Sequence, residues 1–416
     1  MGSVKDLMTD PLSYEGGFYR RAGPHTMGFG AWKVSGRFSV GDLKDLIPPI
    51  EIKNKNFALA MQAAAYFEHA AKHGIPNCYR GMLRKGGGTT SVDDLVKRGE
   101  LSDTVLMDLA NVPSGNLASF HEQTRSGKIT NYVADVESIF RFGIPLGSSI
   151  LKKVFELSGR SDVYEKLATY DETAQELDKI RKEVDQYPQL KAFLENLGLT
   201  QVPHPGTMFA KPTFDYTTKF NPKGDIFTTA EDVRKLHNLD EETYEAWQDL
   251  LSRTAYDQKA YCRERGVVNI DGKGEVVFAD GRVSLGDFAC TIDENRLMLP
   301  YDVNGVRYLL PTNKEIQRAI FRSEGVYDAI SKAKDHAKEL DREENWRNYL
   351  FIYIKRDKLE EVTRESVRVM ENALGNVTNK LLGQDIFDAR PIEEWAQTFL
   401  PYASRLDPSV AVNFTP

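Results

Sequence analysis

Residues 267–296 read VVNIDGKGEVVFADGRVSLGDFACTIDENR. Apolar residues alternate from Val267 to Phe278 and return from Val283 to Phe288, with Asp280-Gly281 between them, a pattern that predicts a β-hairpin. Side chains two apart in a strand share a face, so Asp271, Lys273 and Glu275 point one way while Gly272 and Gly274 leave the other face bare. The return strand brings Asp287 back towards Glu275, and the next loop carries Asp293 and Arg296. Such a carboxylate cluster repels itself unless neutralised, and oxygen ligands suit Mg²⁺. A solvated hairpin with ordinary Asp-Gly turns is the other reading of the same spacing.

The order D-x-K-x-E, hairpin, G-D, then D-x-x-R resembles the SAICAR synthetase family (phosphoribosylaminoimidazole-succinocarboxamide synthases). The family runs read approximately D-F/T-K-L/F-E-F-G, G-E-V-V-L-G/V-D-E and S/T-P-D-G/S-S-R; here they stand as DGKGEV, GRVSLGDF and TIDENR. Gly274 replaces an apolar residue, Phe288 an acid and Ile292 a proline, and one extra residue precedes TIDENR. Ser35–Asp42 (SGRFSVGD) resembles the family's D-R-I/L-S-A-F-D, matching at Arg37, Ser39 and Asp42. Val136–Arg141 (VESIFR) resembles V-E-x-V/I-V-R, and Gly147-Ser148 a later G-S; alternation puts Glu137 and Arg141 on one strand face. The Pro- and Thr-rich segment 203–225 reads as a loop similar to P-x-F-x-P-S/T-T-K, with Lys219 or Lys211 as the matching lysine. The family's opening G-K loop over the nucleotide phosphates is missing; Arg20, Arg21 and Lys33 are the basic residues nearby.

At 416 residues, 41% hydrophobic and 28% charged, the chain has the composition of a globular protein with two or three structural units. A net charge of −7 argues against nucleic acid or a membrane surface as partner, and no apolar run approaches bilayer length. The first residues, MGSVKDLMTDPLSYEGG, lack the basic and apolar segments of a signal peptide, and three scattered cysteines form no disulfide framework, so the expected compartment is the cytoplasm. Cys290, inside the key loop, reads as a small buried residue, with a reactive thiol as the alternative. His69 and His73 share a helix face, but no acidic partner completes a site, and they read as surface or core histidines.

Residues 56–74 predict an Ala-rich helix closed by Gly74, and 84–90 (RKGGGTT) a loop without the P-loop pattern. Residues 151–198 predict an inserted helical hairpin broken near Pro188, and 229–266 two helices with Thr229 as a cap. After Arg296, helices are expected over 312–340, 356–382 and 391–400, with short strands at 306–310 and 350–354.

The resemblance implies an α+β, two-lobed, ATP-grasp-like fold with added helices. Its expected parts are an antiparallel-sheet lobe over 1–134, a substrate and metal lobe over 135–300 carrying the 151–200 insert, and a mainly helical extension over 301–416. The insert and extension are expected to be structural layers or an oligomer contact. The implied activity is ATP-dependent ligation of an aminoimidazole carboxylate ribonucleotide (CAIR) to aspartate through an acyl phosphate. In that reading Lys273 and Asp271 are catalytic, and Glu275 and Asp287 hold Mg²⁺. Arg37, Ser39, Asp42, Glu137, Arg141, Gly147, Ser148, Asp293 and Arg296 bind substrate, while Lys33, Lys211 and Lys219 bind ATP. A variant ligase for another acid or amine stays open, as does an inositol-phosphate-kinase-like transferase, whose D-x-K-x-G and D-F-A fragments match Asp271–Gly274 and Asp287–Ala289. So does a non-catalytic nucleotide-binding descendant.

Overall fold

The computed structural model describes residues 20–35, 37–38, 50–113, 116–145, 147–167, 170–220, 226–279 and 281–403. Ser39 and Asp42 lie outside them. The sheets are antiparallel and the helices gather in separate runs, which is the α+β class. The first sheet has the order β1 (Gly28–Lys33), β4 (Thr104–Leu109), β2 (Tyr79–Leu83), β3 (Thr89–Thr90). Between β2 and β3, Gly86, Gly87 and Gly88 all take positive φ, so the RKGGGTT segment is the tip of this hairpin. Helix α1 (Lys55–Lys72) buries a stripe of alanines with Met61, Tyr66 and Phe67, and ends before Gly74 at φ +70°.

The second sheet positions the candidate site. Its order is β8 (Phe227–Thr228), β7 (Met208–Thr218), β6 (Val136–Gly143), β10 (Asp271–Gly274). Within the segment expected to be a loop, 203–225, residues 208–218 form the long strand β7. Alternating aromatic and β-branched residues (FAKPTFDYTT) overrule its proline, and Pro212 sits where the β6–β7 register shifts between Arg141 and Gly143. The predicted single hairpin is likewise divided. β9 (Val268–Asn269) joins β13 (Leu297–Val303) and β14 (Val306–Pro311), and β10 joins β6. Only β11 (Val276–Ala279) and β12 (Arg282–Leu285) form the hairpin, with β5 (Asn131–Val133) on β11's other edge.

The 151–200 insert holds four α-helices rather than a hairpin: α4 (Ser149–Leu157), α5 (Ser161–Lys166), α6 (Tyr170–Lys182) and α7 (Pro188–Asn196). Pro188 starts a helix instead of breaking one, since an N-terminal proline forfeits no intrahelical bond. Ile150, Leu151, Val154, Phe155, Leu177, Ile180, Leu190 and Leu194 give these helices a core of their own. Helix α8 (Ala230–His237) is capped by Thr229, whose hydroxyl accepts from Asp232 N at 3.1 Å, and α9 (Glu241–Glu264) by Asp240.

Beyond β14, α10 (Glu315–Ser323), α11 (Val326–Glu339), α12 (Leu350–Tyr353), α13 (Arg356–Leu382) and α14 (Ile392–Ala403) follow. The strand expected at 350–354 is helical. Leu350 is fully buried and Ile352 is 63% exposed, though a strand would turn both to one face; burial at Trp346 and Leu350 follows helical spacing instead. Helix α13 packs along α1, with Gln62 Nε2 donating to Thr378 Oγ1 at 2.7 Å, and one apolar core runs continuously from Trp32 to Phe399. No helix among the described residues is long and apolar enough to cross a membrane.

Under the β5–β6 turn, Asp135 is buried between His121 Nε2 at 2.8 Å and His237 Nε2 at 2.7 Å. Burial alone would raise this carboxyl, but its two imidazole partners outweigh that and hold it below the usual range. A depressed carboxylate stabilises the fold above its unfolded pKa near ~3.9, and that stability drains away as pH falls towards the folded value. Asp135→Asn is expected to cost about 3 kcal/mol at neutral pH. Denaturant melts check this: the gap between variant and parent should narrow as pH falls below about 4.

Candidate active site

Two groups of charged side chains meet across β6, β7 and β10. In the first, Arg141 is only 2% exposed and nearly saturated. Its Nε and Nη2 donate to the two oxygens of Asp215 at 2.7 and 2.9 Å, Nη1 to Asp271 Oδ2 at 3.0 Å, and Nη2 also to Ser149 Oγ at 2.9 Å. The register produces this: Arg141 lies opposite Asp271, and Asp215 opposite Ile139, one diagonal step away. Burial works against the guanidinium's charge, but Asp215 and Asp271 more than compensate and raise its pKa. Arg141 therefore positions Asp271 instead of offering a free fork to a ligand. Arg296 pairs with the same Asp271, donates to Gly147 O at 3.0 Å, and lies 3.7 Å from Glu315, which also pairs with Arg318.

The second group surrounds Glu275 and Asp287. The β11–β12 register sets Val276 opposite Leu285, so the flanking residues meet, and Gly286 N donates to Glu275 O at 2.8 Å. Lys219, at the end of β7, ion-pairs with Glu275 and lies 3.7 Å from Asp287. Lys273 reaches Glu137 at 2.9 Å and Glu294 at 2.8 Å. Burial first, and then the Asp287 charge, push the Glu275 carboxyl up to about 8 against the pull of Lys219 and Lys273. Both lysines are held in the ammonium form: burial opposes it, and the surrounding carboxylates prevail. Counted with every group ionised, four carboxylates against two ammonium groups leave −2, a surplus that the raised Glu275 carboxyl reflects, and Glu275 Oε1 is buried with no hydrogen-bond partner among the described residues. Hard oxygen donors, net charge −2 and one orphaned oxygen are what a divalent cation such as Mg²⁺ needs.

The loop after Asp287 is braced from two helices. From α1, the buried Lys55 Nζ bonds Asp293 Oδ2 at 2.6 Å, and Gln62 Oε1 accepts from Ile292 N at 3.1 Å. From α9, Gln258 Oε1 accepts from Asn295 Nδ2 at 2.7 Å. Cys290 holds φ at +59° inside this loop, with its thiol 3.5 Å from that of Cys262. Burial pushes the Cys290 pKa far up, which makes it an inert packed thiol. A side chain on Gly272 would run into the Asn295 amide and come within 2.6 Å of Phe140 Cζ. Gly272→Ala should therefore cost about 2–3 kcal/mol and disorder the loop, while Gly274→Ala, with nothing nearer than 3.6 Å, should be tolerated. Thermal unfolding of the two variants side by side checks the contrast.

Ser148, Lys33 and Lys211 stand elsewhere. Ser148 is fully buried and caps α4 through Ile150 N at 3.3 Å, so it serves the helix rather than a ligand. Lys33 is 62% exposed on β1 beside Asp103. Lys211 is exposed on β7, roughly 25 Å of strand away from Lys219. Arg37 lies in a two-residue ribbon paired with Ile50–Glu51. Sequence reasoning missed Lys55, Asp215, Glu294 and Glu315. Glu294 stood inside TIDENR itself, and Lys55 was a cation at the start of an alanine helix; both were readable signals. Glu315 and Arg318 bring the C-terminal extension, expected as a structural layer or an oligomer contact, against the site. The β13–β14 hairpin turns the chain back, and Asn313 Nδ2 donates to Asn295 O at 3.3 Å.

Residues 198–339 match the family model for SAICAR synthetase. A protein of Archaeoglobus fulgidus, provisionally named a phosphoribosylaminoimidazole-succinocarboxamide synthase, is 25% identical over 95% of this chain and 97% of its own length. The chain is similar to the SAICAR synthetase family, whose model covers about a third of it. The Thermoplasma acidophilum phosphoribosylaminoimidazole-succinocarboxamide synthase is 26% identical over 33% of this chain and 47% of its own. Among solved structures, the chain is similar to Saccharomyces cerevisiae SAICAR synthase complexed with SAICAR, at 14% identity, 86% and 89% coverage of the two chains, and TM-score 0.44. Pyrococcus horikoshii SAICAR synthetase is similar at 12% identity, 70% and 85% coverage, and TM-score 0.41. The stretch matched to the SAICAR synthetase model contains Lys219, Lys273, Glu275, Asp287, Glu294, Arg296 and Glu315. Glu137 and Arg141 join them from outside it, through strand pairing.

Proposed function

We propose that this protein is an ATP-dependent amide ligase of de novo purine biosynthesis, joining CAIR and L-aspartate to give SAICAR, ADP and phosphate. The observation that carries the reading is the buried Glu275–Asp287 pair facing Lys219 and Lys273, within the stretch that matches the family model.

Amide formation from a carboxylate needs a leaving group better than oxide. A CAIR carboxylate oxygen attacks the γ-phosphorus of ATP, ADP departs, and an acyl phosphate remains. The aspartate amine then attacks the acyl carbon, and phosphate leaves with one former carboxylate oxygen as the amine loses its proton. Glu275 and Asp287 would hold Mg²⁺, which supplies charge neutralisation between ATP phosphates. Lys219 and Lys273 add fixed positive charge where negative charge gathers during phosphoryl transfer. Arg296, aimed by Asp271 and Gly147, is the cation assigned to a substrate carboxylate or the ribose phosphate. Arg37, Ser39 and Asp42 are assigned to the substrate by their match to the family motif, and Asp293 and Glu137 by their place beside Lys55 and Lys273.

Oxygen labelling tests the acyl phosphate. With both CAIR carboxylate oxygens carrying ¹⁸O, one label should appear in inorganic phosphate and one in the amide. Unlabelled phosphate alongside product would reject the mechanism.

A further inference from the structure

His69 and His73 lie one turn apart on α1, and Asp257 of α9 packs against both. The expectation that no acid completes this pair is corrected by the fold: the acid arrives from 184 residues further along the chain. One ring nitrogen of His69, one of His73 and one Asp257 oxygen all lie within 4.8 Å of one another. His73 Nδ1 is 2.6 Å from Asp257 Oδ1 and His69 Nε2 is 3.5 Å from it, with the ring centroids 4.0 Å apart.

Two further observations separate this group from an ordinary ion pair. His69 Nε2 and Asp257 Oδ2 are buried and have no hydrogen-bond partner among the described residues, an expense a ligand would relieve. The His73 side chain is 51% exposed, so the cluster is open to solvent on one side. We propose that His69, His73 and Asp257 form a binding site for a divalent transition-metal ion of the zinc type, tying α1 to α9. Two imidazoles at i and i+4 on one helix face, with a carboxylate oxygen as third ligand and water as fourth, is a zinc donor set. Nitrogen ligands select against Mg²⁺, so this site is chemically distinct from the all-oxygen pair at Glu275 and Asp287. Burial lowers the His69 pKa, which keeps that imidazole neutral and able to coordinate. The nearby Glu264 and Arg265 charges act on it in opposite directions.

The other clustered trio, His121, Asp135 and His237, is a weaker candidate. Both Asp135 oxygens already accept from the imidazoles, and all three residues are buried. At the α1–α9 site, the bridged helices are the two that brace the loop over 291–296, through Lys55 and Gln62 on one side and Gln258 on the other. A bound ion would stiffen that brace without touching the reacting groups.

The test uses the full chain, stripped with a chelator and held in saturating Mg²⁺, with Zn²⁺ titrated against a chromophoric competitor and thermal unfolding followed in parallel. One equivalent of Zn²⁺ should bind and raise Tm. His73→Gln and Asp257→Asn should each weaken binding by about tenfold or more and remove the Tm rise. Because His73 is half exposed, His73→Gln should fold and keep ligase turnover within about twofold of the parent without zinc. Failure to take up one equivalent would overturn the proposal. So would equal Zn²⁺ affinity in the parent and His73→Gln, which would put the ion elsewhere in the molecule.

Discussion

Asp287→Asn lowers turnover by about 10²-fold or more and leaves the protein folded. The substitution keeps the side chain's shape and removes one negative charge from a group whose formal charge is −2. Preorganised charge at a phosphoryl-transfer site is worth about 3 kcal/mol or more, which sets the size of the loss. The fold survives because Asp287 and Glu275 repel each other at close range, and removing one charge relieves that repulsion. Raising Mg²⁺ should restore part of the activity if metal affinity is what suffers. Steady-state turnover across a Mg²⁺ series, with circular dichroism as the folding control, reads both effects. Full activity in the variant would remove Asp287 from the site.

Arg141→Leu destabilises the protein by about 3–5 kcal/mol, the cost of leaving buried carboxylates without their counter-charge. Asp215 loses both of its bonds to Arg141, and among the described residues Asp271 keeps only the Arg296 side chain as a partner. Arg141→Lys should rescue little, since one ammonium cannot engage Asp215 through two parallel bonds and reach Asp271 as well. Adding Asp215→Leu to Arg141→Leu should recover a large part of the loss, because the second change removes the stranded charge. Denaturant midpoints for the parent, Arg141→Leu, Asp215→Leu and the double variant form a double-mutant cycle. Simple additivity would mean that the two side chains do not interact.

The long helices were legible because their signals are local. The spacing predicted 356–382, and α13 occupies Arg356–Leu382; the Thr229 cap and the Gly74 stop also stand where expected. Glu275 and Asp287 were legible as a pair because one tight hairpin joins them. What stayed hidden depends on which strand pairs with which. No local pattern says that β10 leaves the hairpin to join β6, so Asp215, which reaches the site only through β7, could not be found from sequence. The same holds for Glu315, returned by the β13–β14 hairpin, and for Asp257, delivered to two histidines by helix packing. Lys219 and Lys211 were indistinguishable as motif matches, and it is the length of β7 that separates them.

Net ADP formation by the unaltered protein, followed with ATP, Mg²⁺, CAIR and L-aspartate together and then with each omitted, tests amide ligation most directly. ADP should accumulate only when both CAIR and aspartate are present, in a one-to-one ratio with the amide formed. ADP release that ignores the amine, transfer of phosphate to an inositol phosphate, or no ADP from the complete mixture would contradict it.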